Sequence, residues 1–536
     1  MIRTFLRRAL LERIALPALV LLALTLDFSH GVALGQDNTL YQPIYRVRQT
    51  LAVALSQMHS PPLGGYLAYG SIVRVFEENG WTIFNDEPGP HSSPQAWTAL
   101  LTDGLGIDKV LEQASHVEID PALPPDFIAA NEVGWADYIH LSFALFGMKI
   151  ASLYYLYYLI ILISCILFIF EFRHVPLLLF ALAVYMGGHI YLHEVAADSI
   201  RLYSITNSRL YAGLSFPAAA HLLFAFWLGR PLRPLRFAAV LIQSAILALA
   251  ITCREEVLWQ AIMVLGGATI VIAHNLMRRR RVQTRELLAT KRNPLWVPAT
   301  MVCTIAFAYG HIAVTASPLY EAQMKSHIFW HEVLMGLLIE NSPLQAIYND
   351  QSGLYGDRLS YDAVTHDLNQ RQDASSPIAL VQGGKIIVDQ RKSWRDYDAL
   401  CRSLVIRIIR QHPFLAFQSI FIKIKAQMTR EFVWYPATVG GANLPAAIIG
   451  LAVIVWIAIG GGAVPRGHYV VEGMIIAALS VGCSLITTVL THPAAQEMAS
   501  LLTWLPIIAV ALVSGAATMV RRVLRPAGSD RSSAPQ

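Results

Sequence analysis

The sequence is short of charge. Asp, Glu, Lys and Arg make up only 14% of its 536 residues, against about 25% in an ordinary soluble globular chain. Hydrophobic residues reach 55%, with a mean hydropathy of +0.47. Spread over many long apolar runs, that composition excludes an ordinary soluble enzyme. Cysteine is scarce as well: Cys165, Cys253, Cys303, Cys401 and Cys483 show no C-x-x-C spacing. Four of them lie in or beside apolar runs, where a thiol packs as a small hydrophobe, which argues against a disulfide framework or a cysteine-ligated zinc site. No G-x-x-x-x-G-K-[ST] and no G-x-S-x-G occurs, so an ATP-driven pump and an α/β-hydrolase have no support. No internal repeat is visible, which leaves an inverted-repeat transporter equally unsupported.

What is present is a series of apolar segments of membrane-spanning length. Arg3, Arg7, Arg8 and Arg13 precede the run Ile14 to Leu26, which predicts a first transmembrane helix or signal anchor within residues 1–35. Ala33-Leu34-Gly35 would suit signal-peptide cleavage, but an uncleaved helix is the preferred expectation. Residues 36–149 then form a polar loop, whose stretch from Gln36 to Asp137 holds thirteen carboxylates against four Lys or Arg. It is expected to end in an interfacial helix from Tyr138 to Lys149. A six-helix block is expected over 150–316, with spans near 150–170, 175–193, 210–229, 236–253, 257–277 and 295–316. The cluster Tyr154, Tyr155, Tyr157 and Tyr158 is expected to sit in the aromatic belt at a membrane boundary. Residues 317–441 are a second polar region with a strand-like run, Lys385 to Val388, and a helical stretch from Tyr397 to Arg430 broken near His412-Pro413. Three final spans lie near 443–463, 468–490 and 497–520, before a tail at 521–536. The fold class expected is therefore an all-α polytopic membrane protein with about ten transmembrane helices.

Basic residues set the orientation. Arg173; Arg230, Arg233 and Arg236; Arg278 to Arg281 with Arg285, Lys291 and Arg292; Arg466; and Arg521, Arg522 and Arg525 all fall in connections on one side. Short-loop Lys/Arg bias marks the cytoplasmic side, which predicts both termini inside and both large polar regions, 36–149 and 317–441, outside. The Arg278–Arg281 run reads as a membrane-surface anchor and not as a nucleic-acid site.

Most of the candidate chemistry then faces one boundary layer. Asp37 follows the first span, Glu132 and Asp137 precede the interfacial helix, and His193, Glu194 and Asp198 end the third span, followed by Arg201 and Arg209. Arg254, Glu255 and Glu256 occupy a very short turn, while His327, His331 and Glu332 follow the seventh span. Each could be a solvated residue at a helix end. Together they predict a polar cavity, because ionisable groups near hydrocarbon usually pair or line water. His193-Glu194 and His331-Glu332 offer imidazole and carboxylate ligands for a divalent metal such as Zn, Mn or Mg. Neither has H-E-x-x-H spacing, so a metalloprotease is not supported. His189, His221 and His311, within spans, read as packing histidines.

A cytoplasmic N-terminus, one span and a long outer loop opening on an acidic residue resemble the polytopic GT-C glycosyltransferases. Asp37, in Gly35-Gln36-Asp37-Asn38, matches the position of that family's catalytic carboxylate. His59-Ser60-Pro61-Pro62-Leu63, followed by Gly65-Tyr66-Leu67, is similar to the family's His-Pro-Pro-Leu-Tyr-like stretch, with a serine inserted. Asn131 to Tyr138 offers Glu132 or Asp137 instead, ahead of an interfacial helix that enters the second span. The likeness covers mainly residues 1–170. It implies transfer of a sugar from a polyprenyl-phosphate donor to a glycan, lipid or protein acceptor on the outer face of a cell (inner) membrane. A carboxylate base would then take the acceptor's proton, and Arg201, Arg209 and Arg254 are candidates to bind the leaving phosphate. The basic stretch Arg402, Arg407, Arg410, Lys423, Lys425 and Arg430 is a candidate for lipid headgroups. A transporter or flippase for a lipid or glycan, and a non-catalytic envelope assembly protein, are the alternatives.

Overall fold

The structure, a computed structural model, describes residues 16–36, 45–59, 65–79, 81, 107–120, 132–173, 175, 178–179, 182, 185–186, 211, 213–281, 294–318, 320, 329–339, 341–349, 354, 357–389, 393–433, 438–439 and 442–443. These residues are mostly helical. In chain order the first helices are α1 (Leu16–Gln36), α2 (Tyr45–Ser56), α3 (Gly70–Glu78), α4 (Ile107–Ser115), α5 (Val133–Phe146) and α6 (Ile150–Phe172). They are followed by α7 (Ser215–Trp227), α8 (Pro234–Cys253), α9 (Leu258–Arg281) and α10 (Trp296–Thr315). Three of them, α6, α8 and α10, are long and apolar enough to cross a membrane. At 1.5 Å per residue the 23 residues of α6 reach about 35 Å, past a hydrocarbon core of about 30 Å. The segments Pro17–Ser29, Ser215–Trp227 and Leu258–Ala273 are shorter apolar helices. The spans expected beyond residue 443, and most of the one expected at 175–193, lie outside the described residues.

The corner between α5 and α6 shows how local chemistry sets the frame. Gly147 closes α5 with φ 90°, a left-handed conformation suited to glycine. The Ser152 hydroxyl donates to the Phe146 and Gly147 carbonyls at 3.1 and 2.6 Å, and the Asp108 carboxylate of α4 accepts from the Ile150 amide at 2.9 Å. Asp108 thus caps the start of this membrane-length helix from another helix. Asp108→Ala is expected to lower stability by about 1 kcal/mol, read as a fall in the melting temperature of the detergent-solubilised chain.

α8 packs against α5, α7 and α10, and α6 packs against α1. Polar groups inside the bundle satisfy one another: the Gln243 amide donates to the Ser164 carbonyl at 2.9 Å while the Ser164 hydroxyl donates to Gln243 Oε1 at 2.6 Å. The tyrosine cluster departs from the sequence expectation. Tyr154, Tyr157 and Tyr158 are buried, and Tyr157 packs edge-on against Tyr211, which also meets Tyr138. They fill the space between helices and do not form a lipid-facing belt. A spacing of one to four residues puts rings on neighbouring faces of a helix without saying whether lipid or protein covers them. His221 is buried against Phe168 and Phe172, the packing role expected of it.

At one end of the bundle Glu171, in the last turn of α6, is held by Arg230 at 3.0 Å and Arg236 at 3.1 Å. Two of the arginines expected to mark the cytoplasmic side are therefore joined to a carboxylate on the adjacent helix. Because α8 begins beside Arg236 and ends at Cys253, the residues after it emerge at the other end.

A second core lies in residues 329–416. It is built from α11 (Phe329–Leu337), α12 (Gln345–Tyr348), α13 (Asp357–Arg371), a hairpin of β1 (Ala379–Gln382) and β2 (Lys385–Val388), α14 (Trp394–Gln411) and α15 (Pro413–Val433). Leu334, Leu338, Leu359, Leu368, Leu404 and Ile408 lie at its centre. The hairpin pairs Gln382 with Lys385 in antiparallel register. Gly383 and Gly384 carry φ of 57° and 77°, which a tight two-residue turn requires at both positions. His412 caps α14 and Pro413 opens α15, as the sequence break predicts. A further pair, β3 (Thr438–Val439) and β4 (Ala442–Asn443), follows.

The basic stretch of α14 and α15 is only partly available to lipid. Arg407 forks onto the buried Asp367 carboxylate, with Nη2 to Oδ2 at 2.9 Å, Arg371 joins the same carboxylate, and the Arg402 guanidinium stacks 5.7 Å above the Trp330 ring.

Candidate active site

The end of the bundle opposite Glu171 brings together Glu132, Asp137, Arg254 and Glu255, four of the residues expected to face a common cavity. Arg254 leaves α8 in extended backbone, and a 3-10 turn, Glu255–Val257, follows at once. Its guanidinium forms an ion pair with Glu132, the N-cap of α5, with the two side chains 15% and 18% exposed. The approach depends on Gly134: a Cβ there would overlap the Thr252 side chain and backbone of α8. Gly134→Ala is expected to cost roughly 1–3 kcal/mol as an overpacking change. It would also move Glu132 away from Arg254, so both the melting temperature and any activity should fall.

One turn further along α5, Asp137 accepts a hydrogen bond from the Tyr66 hydroxyl at 3.1 Å and one from the Gln57 amide at 3.3 Å. Tyr66 Oη also lies 3.3 Å from Thr315 Oγ1, at the end of α10. Tyr66 is buried and has φ 69°, a left-handed conformation costly for a bulky residue. Gly65 explains how it is held: its backbone pairs with Ala316, and a Cβ on it would strike the Thr315 carbonyl. The Tyr320 ring stands 5.5 Å from that of Tyr66. Segments from α2, α5, α8 and α10 therefore converge on one point.

Burial raises the Asp137 pKa above the ordinary carboxylate range, partly offset by the hydrogen bonds from Tyr66 and Gln57 and by nearby His311 and His140. Burial, reinforced by the Asp137 charge, pushes the Tyr66 phenol upward, so Tyr66 remains a proton donor. The Tyr320 phenol is raised by burial and then by Tyr66, Glu255, Asp137 and Glu132. Those four groups share the field of a single cluster. Beside Asp137, Gln57 Oε1 and His140 Nδ1 are buried with no hydrogen-bond partner among the described residues. The arrangement offers a carboxylate with high proton affinity, neutral donors that fix it, and a guanidinium held at its edge.

Of the residues singled out in the sequence, Glu132, Asp137 and Arg254 come together here. Asp37, His193, Glu194, Arg201 and Arg209 lie outside the described residues. His331 and Glu332 belong to the second core, together with Asp357. Sequence reasoning missed the partners Gln57, Thr315 and Tyr320, although Tyr66 lay in a quoted stretch. It also missed Asp27, which is buried within α1, because the first apolar run was read as ending at Leu26. Compared with known protein families, curated proteins and solved structures, the chain matches none.

Proposed function

We propose that the chain is a multi-pass glycosyltransferase of the GT-C type, moving a sugar from a polyprenyl-phosphate donor to an acceptor hydroxyl on the outer face of a cell membrane. The observation that carries this reading is the placing of Asp137, with its raised proton affinity, beside the Glu132–Arg254 pair at one end of the spans. In the proposed reaction the acceptor oxygen attacks the anomeric carbon, and its proton passes to the Asp137 carboxylate. The bond from that carbon to the phosphate oxygen breaks, the phosphate keeps the electron pair, and Arg254 stabilises the charge that develops. Tyr66 and Gln57 orient the base. Gln57 Oε1 and His140 Nδ1 are polar atoms that a sugar hydroxyl would satisfy.

About ten spans, with both termini inside, complete the proposal. The Arg230 and Arg236 end of the bundle then faces the cytoplasm and the Asp137 end faces outward. Membrane lipids surround the chain, and a glycan, lipid or protein supplies the acceptor. Single substitutions Asp37→Asn, Glu132→Gln and Asp137→Asn in a membrane glycosylation assay test it. Loss of transfer in Asp137→Asn is expected; full transfer in all three variants overturns the mechanism.

A further inference from the structure

We infer that His331, Glu332 and Asp357 form a binding site for a divalent transition-metal cation, of the Zn²⁺ or Mn²⁺ kind, pinning α11 to the start of α13. One ligand atom from each residue lies within 4.8 Å of the others. The site is separate from the cluster around Asp137 and does not depend on the glycosyltransferase reading.

His331 is the anchor, and it is held from every side. Its side chain is fully buried, its backbone amide donates to Asp398 Oδ1 at 3.1 Å, and its carbonyl accepts from the Ser360 hydroxyl at 3.0 Å. The ring packs in a three-way cluster with Tyr361 and Tyr397, with Nδ1 at 2.8 Å from the Tyr397 hydroxyl. In the tautomer whose Nδ1–H donates to the Tyr397 oxygen, the imidazole lone pair is on Nε2, the kind of hydrogen bond that orients metal-binding histidines. Nε2 is buried and makes no hydrogen bond among the described residues. Asp357 Oδ1 lies 3.5 Å from it. Ligand atoms 2.0–2.1 Å from a tetrahedral ion stand about 3.4 Å apart, so this pair already has the spacing of two ligands. Glu332, the next residue on α11, supplies the third. One imidazole with two carboxylates suits Zn²⁺ or Mn²⁺ better than Mg²⁺ or Ca²⁺, which prefer oxygen alone. Asp357 is about half exposed, leaving an entry path.

The test uses the full-length chain, free of any histidine tag, chelator-treated in detergent and titrated with Zn²⁺ or Mn²⁺ alone. Bound metal is measured by mass spectrometry after desalting, and affinity by chelator competition. Wild type should retain one more ion per chain than His331→Ala, and Asp357→Asn and Glu332→Gln should each weaken binding roughly tenfold or more. Mg²⁺ should bind far more weakly. His366→Ala, a partly exposed control on α13, should match wild type. Because Asp357 is partly exposed, Asp357→Asn should melt like wild type in chelator, whereas added metal should raise the melting temperature of wild type only. A wild type that takes up no ion, or Asp357→Asn and Glu332→Gln variants that bind and melt as wild type does, overturns the site.

Discussion

Asp137→Asn is expected to lower sugar transfer by roughly 10²- to 10⁴-fold, the range a positioned general base contributes. Stability should move the other way. The native pKa of Asp137 lies above the ordinary carboxylate value, so the folded chain binds this proton more tightly than the unfolded chain does. The protonated acid therefore favours folding below the unfolded pKa, and ionisation erodes that advantage as pH rises through the native pKa. A neutral asparagine avoids the erosion, so Asp137→Asn should melt at or above the wild-type temperature at neutral pH while losing activity. A residue retained for packing would show both losses together. The same shift fixes the pH profile. A base must be ionised to act, so activity should fall as pH is lowered through the raised pKa, and this acid limb should lie above the ordinary carboxylate range. Tyr66→Phe should move the limb upward, because the hydrogen bond from Tyr66 is the larger of the two side-chain effects holding the Asp137 pKa down.

Arg254→Ala is the second large effect. Removing one preorganised stabiliser of developing charge typically costs 10²–10³-fold in kcat, and about that loss is expected. Arg254→Lys should recover only part of it, since an ammonium cannot reproduce the fork that a guanidinium offers to phosphate. Glu132 is already engaged with Arg254. Its substitution by Gln should therefore act through the position of Arg254 and lower transfer less than Asp137→Asn does. Purified variants assayed with a lipid-linked sugar, with kcat separated from KM, distinguish the two roles: Arg254→Ala should fall mainly in kcat.

Elements defined by short-range chemistry were legible in the sequence. The apolar runs of α6, α8 and α10 begin and end within a few residues of their expected limits, because polar or basic residues such as Lys149 and Arg254 cannot continue them at low cost. The break at His412-Pro413 was likewise visible, since proline acts locally. The candidate site was half legible. Glu132, Asp137 and Arg254 stood out as charges beside apolar helices, but their partners did not. Tyr66 and Asp137 are 71 residues apart and Tyr66 and Thr315 are 249 apart, and helix packing alone brings them together. Burial was illegible for the same reason. Nothing in the spacing of Tyr154, Tyr157 and Tyr158 distinguishes a protein neighbour from a lipid one, and nothing about Asp357 marks it as a companion of His331.

The central claim is that this membrane chain cleaves a lipid-linked sugar using a carboxylate on α5. It is tested most directly by reconstituting the purified chain in vesicles with a radiolabelled polyprenyl-phosphate sugar and a hydroxyl acceptor. Release of free polyprenyl phosphate is then measured for wild type, Asp37→Asn, Glu132→Gln and Asp137→Asn. The account predicts release by wild type and its near-complete loss in a folded Asp137→Asn. Equal release by all four proteins, or release by none, would contradict it.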